Sequence, residues 1–165
     1  MTSCDSFRAE QSSSPHGTPI LLIAALNLYL KNKEDSTKAF ILILDSSLLT
    51  QDRNGYIGFS LNKNITDQLK KQQSDIRIES YLPSSTPTNH YKPNGSPYRF
   101  TLSGNRFSGT EESGQRKLFI PSSGAYTARP ATLKRNAMGA WKAHEFSSLL
   151  VGIKKPVTKN AAEDL

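Results

Sequence analysis

The sequence has almost no cysteine. The single one, Cys4, lies in a Ser-rich opening segment, so one chain can close no disulfide and build no cysteine-based metal site. That usage predicts a reducing, intracellular setting and a soluble protein of the cytoplasm or nucleus. The apolar run "PILLIAALNLYL" (19–30) is too short for the about 20 residues that a bilayer span needs. The opening residues also lack a basic segment followed by an apolar stretch, so no secretory leader is expected. Without that route, "NIT" at Asn64 is read as a chance glycosylation match.

Catalytic signatures are missing as well. No phosphate-binding P-loop, no G-x-G-x-x-G and no G-x-S-x-G occurs. The three histidines, His16, His90 and His144, form no H-x-x-x-H or H-x-H pair. His144 and Glu145 are sequence neighbours on what reads as a helix, so they point apart and form no dyad. "SGNRFSG" (103–109) carries two glycines suited to a hairpin turn or an anion nest. The expectation is a protein that is not an enzyme and holds no metal or cofactor.

Acidic residues are scarce in one half only. Residues 1–90 carry nine Lys and Arg against nine Asp and Glu, and are neutral. Residues 91–160 carry twelve against three, a surplus of nine, and the last five residues hold two acids. The formal net charge is +7. Charge concentrated in this way points to a polyanionic partner, nucleic acid or an anionic membrane surface.

What is present suits one α+β domain over 18–155, with units 18–75 and 76–155, between a flexible tail at 1–17 and an acidic-tipped tail at 156–165. The second half of 19–30 alternates Leu26, Leu28 and Leu30 with polar positions, which predicts a strand. "AFILILDSSLL" (39–49) reads as a buried strand. Asn54-Gly55 signals a hairpin into a strand over 56–62, and Asn64 is expected to cap a short helix that buries Ile65 and Leu69.

Beyond it, "IRIESYL" (76–82), "YRFTLSG" (98–104) and "RKLFIP" (116–121) read as strands. The Pro-rich stretch 83–97 and the basic stretch 122–136 read as loops. Met138, Trp141, Phe146, Leu149, Leu150 and Ile153 recur near helical spacing, which predicts a last helix with Trp141 packed on the sheet. The order is β-β-β-α twice, an antiparallel sheet with helices packed on one face.

The basic half interleaves cations with aromatic rings. Cations neutralise phosphates and aromatic faces stack on unpaired bases, the chemistry that holds single strands. The phosphate-binding candidates are Arg99, Arg106, Arg116, Lys117, Arg129, Lys134 and Arg135. Rings on strands are expected in the core, so the stacking candidates are those in loops, Tyr91, Phe107 and Tyr126.

The layout resembles known single-strand binders. "GFSLNKNITDQLKKQQSDI" (58–76), a strand, a polar break and a Gln/Lys-rich helix, is similar to the positive-cofactor-four coactivators. "RKLFIPSSGAY" followed by "AHEFSSLLVGI" resembles the late strand and helix of the Whirly and PUR families. The resemblance implies single-stranded DNA or RNA binding across a sheet, with helices on its back or forming the core of a homo-oligomer. The alternative is a viral or cellular structural or accessory protein, matrix- or capsid-associated, whose basic patch meets anionic lipid or packaged RNA.

Overall fold

In the computed structural model of the chain, residues 13–71, 78–82, 85–92 and 101–155 are described. Among the described residues, three helices and two small antiparallel sheets make an α+β protein. The elements are distributed differently from two β-β-β-α units. Among the described residues two helices are followed by a hairpin and a third helix, and then by a three-stranded sheet.

Helix α1 (Gly17–Tyr29) takes up the apolar run that its last alternating leucines present as a strand. Pro19 sits in its first turn, where a missing N–H costs nothing. Leu22, Leu26 and Tyr29 are buried at helical spacing, whereas Leu30 is 41% exposed. Helix α2 (Lys33–Ile43) replaces the strand expected at 39–49. Its start is strongly specified: the Asn32 side chain accepts from Asp35 N–H at 3.1 Å, and Glu34 and Asp35 occupy the first turn. That start, with the three-residue link that folds α2 back along α1, outweighs the β preference of "FILI". The buried Ser36 hydroxyl donates to the Ala25 carbonyl at 2.7 Å and fixes the pair.

Strands β1 (Leu49–Tyr56) and β2 (Phe59–Leu61) form a hairpin. It turns at Ile57-Gly58, both at positive φ (49° and 84°), three residues later than Asn54-Gly55. Asn54 and Gly55 lie instead in a bulge between Gln51 and Tyr56. Helix α3 (Lys63–Lys71) buries Ile65 and Leu69 as expected, but its cap is Asn62, whose side chain accepts from Ile65 N–H at 2.9 Å. Of the strand expected at 76–82, residues 76 and 77 lie outside the described residues, and Ile78–Tyr81 is a 3-10 turn.

The second sheet runs in order β3 (Gln115–Ile120), β4 (Arg129–Arg135), β5 (Trp141–Glu145), an antiparallel meander. Strand β3 is where the sequence puts it. Strand β4, the central one, lies in the stretch read as a basic loop. Only Ala131 and Leu133 betray it, and Pro130 is tolerated near its start. Strand β5 occupies the expected last helix. Trp141 and Ala143 are buried and Lys142 and His144 half-buried, a period of two hidden in a short apolar run. The turn before it is set by Asn136, whose side chain accepts from Met138 and Ala140 N–H, and by Gly139 at φ 82°. Of the strand expected at 98–104, residues 98–100 lie outside the described residues; Ser103 makes a single bridge to Phe119.

One hydrophobic cluster joins Leu22, Leu26 and Phe40 of the helices to Leu118, Ile120, Leu133, Trp141 and Ala143 of the sheet. The buried Thr18 hydroxyl donates to the Trp141 carbonyl at 2.9 Å, and Leu44 bridges Ala143 at the free edge of β5. Among the described residues no helix is long and apolar enough to cross a membrane.

Candidate nucleic-acid interface

Alternation along the sheet decides where each cation goes. On β3, Arg116 shares a side with the buried Leu118 and Ile120, and Lys117 takes the other. On β4, Arg135 falls on the side of Leu133, and Lys134 opposite. The register sets Arg116 beside Leu133 and Gln115 beside Lys134, so all four cations lie at the Gln115 end of the sheet, two on each face. One open face carrying every arginine is therefore not what the fold builds. The cations wrap around an end.

The turn before β3 adds to that end. Lys117 N–H donates to the Ser108 carbonyl at 2.8 Å, which holds the turn against the strand. Arg106 and Phe107 project from it. The Phe107 ring is 77% exposed, and the Arg106 guanidinium lies 4.7 Å from its centre. Arg116 packs beside Gly104, and its buried Nε has no hydrogen-bond partner among the described residues. Arg135 lies 5.7 Å from the Trp141 ring centre. The same end holds Glu111 and Glu112. Hydrogen bonds within its own turn, from its own backbone and Thr110, hold the Glu112 carboxyl below the usual range, and Arg135 and Arg116 add to this.

Tyr126 and Arg129 lie at the opposite, Ile120 end. The Tyr126 ring is 92% exposed, with the Lys154 ammonium 4.1 Å from its centre. Arg129 is half-buried and donates to the Gly152 carbonyl at 3.1 Å, so part of its guanidinium serves the fold. Tyr91 is corrected outright. It is 3% exposed, and its hydroxyl donates to the Lys154 carbonyl at 2.5 Å, so its ring cannot stack on a base. Arg99 lies outside the described residues.

A cluster that the sequence does not announce joins Asp45, Ser47 and His144. The Ser47 hydroxyl donates to Asp45 Oδ2, and His144 Nδ1 lies 3.3 Å from that oxygen and 3.4 Å from Ser47 Oγ. Both neighbours use the same ring nitrogen. A nucleophilic relay needs carboxylate and hydroxyl on opposite nitrogens, so this is a structural clasp. Burial alone would raise the Asp45 pKa, but hydrogen bonds from Ser47 and His144 outweigh it and hold the carboxyl low. Among the described residues no group of three or more His, Cys, Asp or Glu is placed to hold a metal ion.

The strand-to-helix step at 116–153, which carried the resemblance to Whirly and PUR proteins, is a meander of three strands. Comparison with curated proteins and with solved structures yields no significant match. Residues 1–157 match the family model described as "Domain of unknown function (DUF6935)", and the chain belongs to that family.

Proposed function

We propose that this protein is a non-enzymatic binder of single-stranded nucleic acid with little sequence preference, acting through the Gln115 end of its three-stranded sheet. The observation that carries the reading is the exposed Phe107 ring, held against Arg106 in a turn that is hydrogen-bonded to Lys117, on the sheet whose Gln115 end carries Arg116, Lys134 and Arg135. A large aromatic ring left in water contributes nothing to folding. Among cations, it offers a stacking surface where phosphates are also neutralised. Wrapping around a sheet end suits a flexible strand, which can follow curvature that a stiff duplex cannot.

Fluorescence anisotropy with labelled single-stranded DNA and RNA and matched duplexes, over a salt series, tests this. Single strands should bind more tightly than duplexes. Engagement of about four phosphates gives a slope of about −3 in log K against log salt. Phe107→Ala should weaken binding by about tenfold, the loss of one stacked base. Binding to anionic vesicles, with none to oligonucleotides at low salt, would replace this reading with the membrane-surface one.

A further inference from the structure

An open groove of about 750 Å³ runs between one face of α2 and the β1–β2 hairpin. It lies in the electroneutral half of the chain and shares no residue with the basic end of the sheet. Its volume falls within the about 300–1,000 Å³ usual for small-molecule sites. Four charged side chains line it, and their charges cancel. Lys38 pairs with Glu34 at 2.8 Å, and Lys33 faces an excess of neither sign because Asp52 stands on the hairpin wall. Such a lining does not select a polyanion.

The hairpin wall combines two aromatic rings with unspent hydrogen-bonding groups. Tyr56, 38% exposed, and the half-buried Phe59 supply the rings. Among the described residues, the Tyr56 hydroxyl, the Asn54 amide and the Ser60 hydroxyl have no protein hydrogen-bond partner, and Asp52 engages only Oδ1, which accepts from Asn54 N–H. The bulge between Gln51 and Tyr56 interrupts the regular strand edge that an extended peptide would need. The tip of the hairpin is strained: Ile57, β-branched and at φ 49°, is 61% exposed, so no packing compensates its conformation.

From these features we infer that the groove binds a neutral carbohydrate, a short oligosaccharide rather than a charged ligand or a peptide. A pyranose ring has an apolar C–H face that packs on the electron-rich face of an aromatic ring. Its hydroxyls each donate and accept, which matches a lining of amide, hydroxyl, carboxylate and ammonium groups. The openness of the groove suits a chain of sugars entering and leaving along it.

The test is an amide NMR titration of the full chain with maltotriose, cellotriose and chitotriose at millimolar concentrations. Shifts should be confined to residues 33–41 and 52–60. Tyr56→Ala should weaken binding about tenfold, the equivalent of one aromatic contact. Met138→Ala, on the exposed hairpin after β4, should leave it unchanged. The inference is overturned if none of the three sugars shifts these amides, if the shifts fall elsewhere, or if Tyr56→Ala, confirmed as folded by its own spectrum, binds equally well. It is also overturned if an extended peptide, and no sugar, fills the groove. None of these outcomes depends on whether the sheet end binds oligonucleotides.

Discussion

The rings of Phe40 and Phe146 are stacked, with centroids 6.2 Å apart and planes 11° from parallel. Phe40 belongs to α2, and Phe146 follows β5, so the pair clasps the helical layer to the sheet. Both are fully buried. Phe40→Ala or Phe146→Ala should each cost about 3–5 kcal/mol in urea unfolding. A double-mutant cycle should show a coupling of about 0.5–1.5 kcal/mol.

A side chain at Gly55 has nowhere to go. A Cβ there would fall 2.0 Å from the Phe59 carbonyl oxygen, a backbone atom that cannot swing aside. Gly55→Ala should destabilise the protein by about 1–3 kcal/mol, with amide shifts centred on the β1–β2 hairpin. Ile57→Asn should act in the opposite sense. Asn tolerates positive φ far better than a β-branched residue, so its thermal midpoint should rise.

The Asp45 clasp predicts a pH signature. Its carboxyl pKa is lowered in the folded state, so its contribution to stability is fully present above the ordinary value of 3.8 and is lost as pH falls through the lower folded value. Asp45 also accepts from Ser47 N–H at 3.3 Å. Asp45→Asn should cost about 1 kcal/mol near neutrality. The gap between variant and parent should close in acid, as read from urea midpoints across pH.

Buried Tyr91 and exposed Tyr126 should behave oppositely. Tyr91→Phe removes the part-buried hydrogen bond from the Tyr91 hydroxyl to the Lys154 carbonyl, a loss of about 1 kcal/mol of stability. Its effect on oligonucleotide affinity should be small. Tyr126→Ala should leave the thermal midpoint within experimental scatter, because its ring is 92% exposed. Lys117→Ala should lower the slope of log K against log salt by about 0.7, the signature of one lost phosphate contact on a single strand.

The α+β class, β3 and the two-residue apolar face of α3 were legible because each carries a local signal. Alternation marks Leu118 and Ile120, and helical spacing marks Ile65 and Leu69. The early helices were hidden by composition. "FILIL" prefers a strand when read alone, and only the cap at Asn32 and the packing of α2 on α1 decide otherwise. Strand β4 was hidden for a different reason. A central strand whose buried apolar residues are only Ala131 and Leu133 looks like a loop until its two neighbours pair with it. At the basic end, the residue types were legible, but their sides were not. A single step of register separates Arg116 from Lys117 and Lys134 from Arg135. The burial of Tyr91 is not legible locally, because the carbonyl its hydroxyl bonds, that of Lys154, lies 63 positions away.

The bridge from Leu44 to Ala143, reinforced by Asp45 N–H donating to the Ala143 carbonyl at 2.8 Å, stitches the helical first half to the last strand of the second. The apolar sides of α1 and of the sheet each supply the other's cover. A cut in the connection between residues 71 and 101 would therefore not release two independent modules. It would give two fragments, each with an unsatisfied apolar face, that regain structure only when mixed. The chain is thus a natural candidate for split-reporter complementation, with one half electroneutral and the other basic.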